Sequence, residues 1–89
     1  MEEKFLEALA KARAEAEKLG VRIRPVTTMA DARRILDGHR TSDGFNLLAQ
    51  KGKLELSLEA LSTKKQYTAL FTDEQVNNAL DRLLEAGYF

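Results

Sequence analysis

Residues 53–58 read Lys53-Leu54-Glu55-Leu56-Ser57-Leu58, and two readings of them separate the fold classes open to this chain. Leu54, Leu56 and Leu58 alternate with polar residues as in a half-buried strand, whereas Leu54, Leu58 and Leu61 recur at helical intervals. An extended segment here would pair with Val21-Arg22-Ile23-Arg24, which also alternates before Pro25 and reads as either a short edge strand or an extended linker. Pro25 limits such a ladder to a minimal one, near residues 22–24 and 54–56.

The sequence around this stretch is helical in character. Leucine (14) and alanine (12) far outnumber valine plus isoleucine (5), and unbranched side chains lose less rotamer freedom in a helix. Phe5, Leu9, Ala12, Ala16 and Leu19 form a stripe that predicts a helix over about 2–19, stopped by Gly20. Thr28 is placed to cap a helix over 29–37 with Met29, Ala32, Ile35 and Leu36 on one side. Ser42 is placed to cap another, running through Lys51 and burying Phe45, Leu48 and Leu47. A helix over about 58–70 has a weak point at Ser62-Thr63, where two side chains compete for the backbone. Thr72-Asp73-Glu74-Gln75 is a capping box for a final helix with Val76, Ala79, Leu80, Leu83 and Leu84 as its stripe. The expectation is an all-α fold: a compact single domain over 1–89, of four or five short helices packed orthogonally. It allows a minimal two-stranded ladder, residues 53–58 being taken as extended and then helical from Ser57. A small α+β domain is the alternative.

The same residues exclude several chemistries. At 89 residues the chain has the length of one domain of about 100. With no cysteine it has no disulfide, thiolate metal site or thiol nucleophile. Its one histidine, His39, lies in a Gly-His-Arg-Thr-Ser-Asp-Gly loop where Ser42 and two aspartates are neighbours only in sequence, so a noncatalytic protein is expected. Scattered carboxylates lack zinc or EF-hand spacing, and the five glycines form no phosphate-binding loop, so neither metal nor cofactor is expected. No apolar run approaches the roughly 20 residues of a membrane span, and the charged N-terminus does not read as a secretion signal, which predicts a cytoplasmic protein with no membrane partner.

Overall charge is balanced, with 14 basic and 14 acidic residues, but its distribution is not. Residues 21–53 carry +7 and −3, including five arginines, while the segments on either side are net acidic. Arginine suits bidentate contact with phosphate or carboxylate. The plain structural alternative is internal neutralisation, for instance Arg22 or Arg24 against Glu55. The partner-binding residues expected on this segment are Arg33, Arg34, His39, Arg40, Ser42 and Asn46, and a protein partner, or another anionic one, is favoured. The competing class is a helix-turn-helix DNA binder over residues 29–51, although Asp37 and Asp43 would lie close to the phosphates. Residues 75–89 resemble the end of a winged-helix recognition helix in cadence, but Asp73, Glu74, Asp81 and Glu85 against Arg82 oppose docking on a polyanion. Tyr88-Phe89 and the stripe of the first helix are expected to pack within the chain, a weak homodimer through them being the alternative.

Overall fold

The computed structural model describes residues 1–88, and among them every regular element is helical. Five α-helices follow one another: α1 (Glu2–Lys18), α2 (Met29–Asp37), α3 (Phe45–Gln50), α4 (Leu58–Ser62) and α5 (Asp73–Glu85). Single 3-10 turns at Leu54–Leu56 and Thr68–Leu70 precede α4 and α5. The all-α expectation holds, and the ladder does not form among the described residues. Residues 53–58 are not extended as expected: Leu54–Leu56 coils into the 3-10 turn, and Ser57 closes it by donating its hydroxyl to Leu54 O at 2.7 Å. The same hydroxyl accepts from Ala60 N, so one serine ends the turn and caps α4. That geometry buries Leu54 and Leu58 and half-buries Leu56, which satisfies all three leucines without a strand.

The helix stops act as the sequence suggests. Gly20 adopts φ +85° after α1, Thr28 Oγ1 accepts from Asp31 N at the start of α2, and both bonds of the Thr72–Gln75 capping box are made. The break at Ser62-Thr63 is real, since each hydroxyl donates to a carbonyl three residues back and α4 ends there. Ser42 does not cap α3. Gly44 occupies that position at φ +78°, because the Ser42 side chain points into the core.

Phe5 sits at the centre, fully buried, with edge-to-face contacts to Tyr67 at 5.1 Å and Phe71 at 5.2 Å. Leu36, Leu58, Leu61 and Ala79 surround this cluster, and a second cluster of Ala16, Val21, Phe45, Leu48, Leu54, Ala60 and Leu83 continues it toward α3. α5 packs on both α2 and α4 through Gln75, Ala79 and Leu83. Leu80 and Leu84, expected inside, face outward, as do Leu47 and Leu19. One apolar stripe was too wide for the face α5 buries: positions 75, 79 and 83 lie on the core, and Gln75 is kept there by polar contacts. The Cα radius of gyration, 11.7 Å, is close to the ~12 Å of a well-packed chain this long. No described helix is long and apolar enough to cross a membrane.

Candidate functional site

The basic central segment is displayed on a linker and a loop that are both anchored from inside. The linker, residues 21–28, is tied down at its start: Val21 N donates to Ala16 O at 2.9 Å, Arg13 Nε donates to Ile23 O at 2.7 Å, and Arg24 N donates to the Asp43 carboxylate at 2.7 Å. It runs so close to the turn before α3 that a Cβ on Gly44 would lie 2.8 Å from Ile23 Cγ1, which only glycine permits. Residues 25–27 make no hydrogen bond to another described residue before Thr28 caps α2.

The loop of residues 38–44 is anchored by a buried ionic network. Glu59, on α4, is completely inaccessible, and its carboxylate accepts from Ser42 N at 2.8 Å, Ser42 Oγ at 2.5 Å and Arg82 Nη1 at 3.3 Å. Arg82 Nη2 reaches the end of α2, donating to Ile35 O, Leu36 O and Gly38 O, the last at 2.6 Å. Asn78 Nδ2 donates to Leu36 O and Gln75 Nε2 to the Asp37 carboxylate, so three side chains of α5 bind the C-terminal end of α2. The carbonyls of Ile35, Leu36 and Gly38 at that end are thus met from a neighbouring helix. Among the described residues every buried side-chain polar atom has a partner, and a carboxylate as deep as Glu59 is tolerated because its oxygens are met by a guanidinium and two donors of Ser42.

The expected site residues separate on this scaffold. Arg33 points away from the loop, donating from Nε to Leu70 O at 3.0 Å and from Nη2 to Glu2 at 3.3 Å. Ser42 is buried on Glu59. Arg34, His39, Arg40 and Asn46 are exposed. Arg34 is 78% exposed and pairs with Asp31 at 2.7 Å, a surface contact of about 0–1 kcal/mol that a partner carboxylate can replace. Arg22 and Arg24, cations of the same segment outside the expected site residues, are also exposed, and neither pairs with Glu55 among the described residues.

Three adjoining depressions join these cations into one face. The first holds Arg22, Arg24 and Asp43; the second shares Arg24 and Asp43 and adds Arg34 and Thr41; the third shares Arg34 and Thr41 and adds His39 and Arg40. Beside the second opens an apolar cleft of about 160 Å³ between α1, the linker and the residues leading into α4. The wide spacing of Arg22, Arg24, Arg34 and Arg40 in sequence concealed the face, and no periodicity signals a cleft roofed by an irregular linker. Comparison of the chain with protein-family models, curated proteins and solved structures gave no match, so the reading of this face rests on its own geometry.

Proposed function

We propose that the chain is a noncatalytic interaction module that docks an acidic segment of a partner protein on the face formed by Arg22, Arg24, Arg34, His39 and Arg40. The observation behind this reading is the exposure of four arginines on adjoining depressions, of which, among the described residues, only Arg34 has its guanidinium paired with a carboxylate. Arg34 is paired with Asp31 and Arg13 with Glu17, and Asp43 also lines these depressions, but Arg22, Arg24 and Arg40 leave the face net positive, and such a surface attracts and orients an anionic partner. Arginine at each position favours the forked contact with a carboxylate.

The helix-turn-helix alternative draws less support. The connector between α2 and α3, residues 38–44, is longer than the roughly 3–4-residue turn of that motif, and α3 has fewer than two turns with which to read a groove. Arg33 and Ser42, two polar side chains of that segment, are occupied within the fold.

The test compares the wild type with Arg24→Glu/Arg40→Glu against two labelled probes, a polyglutamate peptide and a duplex DNA, at about 50 and 200 mM salt. Binding of the peptide that falls at least about tenfold on charge reversal is the expected result. Absence of peptide binding, or tight salt-sensitive binding of duplex DNA in its place, overturns the proposal.

A further inference from the structure

The apolar cleft has no part in recognising charge, yet it adjoins the cationic face. Leu9, Ile23, Val26, Ile35 and Leu56 converge on it and stay half-buried, so the fold leaves apolar surface there uncovered. Ile35 and Val26 line both the cleft and the depression that holds Arg24 and Arg34. At about 160 Å³ it is the size of a cavity that accepts one benzene-sized group, which is the bulk of a leucine or phenylalanine side chain.

We infer that the cleft is an anchor pocket, and that the acidic segment docked on the arginines inserts one large aliphatic or aromatic side chain into it. The inference rests on the function proposed above and specifies the partner: a peptide with an apolar residue flanked by carboxylates. Charge complementarity selects that occupant over a neutral one. Across the face Arg22, Arg24, Arg34 and Arg40 outnumber Asp31 and Asp43, and the cleft opens beside the depression that Arg24 and Arg34 line. A nucleic acid offers the phosphates but no side chain of this bulk. Residues 25–27, which make no hydrogen bond among the described residues, form one side of the rim.

Ala10 gives a clean test, because it lines the cleft from an exposed position of α1 and leucine is a good helix former there. Ala10→Leu fills the pocket without altering charge or core, and an unchanged thermal melt by circular dichroism establishes that it folds. The probes are two fluorescein-labelled glutamate peptides, one with a central Leu-Phe pair and its twin with Ser-Ser. The wild type is expected to bind the Leu-Phe peptide at least about tenfold more tightly than the twin, and Ala10→Leu to abolish that preference. Equal affinity of the wild type for both peptides, or a preference that survives Ala10→Leu, overturns the inference. If both peptides bind equally and both are lost on Arg24→Glu/Arg40→Glu, the cationic face stands and the anchor pocket fails. If neither peptide binds the wild type, both fail.

Discussion

Replacing Arg82 with methionine removes the cation that, among the described residues, alone pairs with Glu59, a carboxylate completely inaccessible to solvent. Arg82 itself is 10% exposed, so its removal exposes little new surface, but it leaves Glu59 buried with no counter-charge. Breaking a buried pair on one side costs about 3–5 kcal/mol, whereas replacing both partners by apolar groups is often near neutral. At about 0.05–0.15 kcal/mol per residue, 89 residues hold roughly 4–13 kcal/mol in total. Arg82→Met therefore takes a large share of the stability and lowers the melting temperature by well over about 10 °C. The informative comparison is Arg82→Met/Glu59→Gln. It removes the orphaned charge while the amide oxygen can still accept from Ser42, so the double variant is expected to be more stable than Arg82→Met alone. Urea denaturation followed by circular dichroism measures all of these. A cost below about 1 kcal/mol for Arg82→Met, or a double variant less stable than the single one, would refute the claim that this network holds the fold.

Two further substitutions probe the elements that carry the site. Gly44→Ala forces a β-carbon into the left-handed region and onto Ile23, so it is expected to cost more than Gly20→Ala, where nothing lies within 4 Å; equal melting temperatures for the two would show that the linker does not press on the turn. Thr72→Ala removes the hydroxyl that accepts from Gln75 N, and a loss of about 1 kcal/mol in chemical denaturation is expected, with no change at all arguing that the Asp37–Gln75 contact alone sets the start of α5.

The sequence disclosed the helices whose ends carry local chemistry. Gly20, Thr28 and the Thr72–Gln75 box act within a few residues of themselves, so α1, α2 and α5 fall where their caps place them. At residues 53–58 alternation and helical spacing coexist among the leucines, so neither pattern decides, and the deciding bond, from Ser57 to Leu54 O, is a short-range one that favours a 3-10 turn. Ser42 looked like a cap because its type and position allowed it; a carboxylate from α4, seventeen residues away, claims its hydroxyl instead. Glu59 gave no sign of being buried, since an ionic residue reads as surface until its partners are known. The candidate face was half legible. Its charge excess was visible, and so were Arg34, His39 and Arg40, but which arginines face outward together depends on adjacent helix positions pointing in different directions, as Arg33 and Arg34 do.

The location of the contact is the most direct test of the docking face. Titration of the isotope-labelled protein with the glutamate peptide bearing Leu-Phe, followed by amide and methyl NMR shifts, is predicted to perturb residues 22–27, 34–35 and 38–43 together with the Leu9 and Ile23 methyls. Shifts confined to α5, or spread evenly over the molecule, would contradict the account.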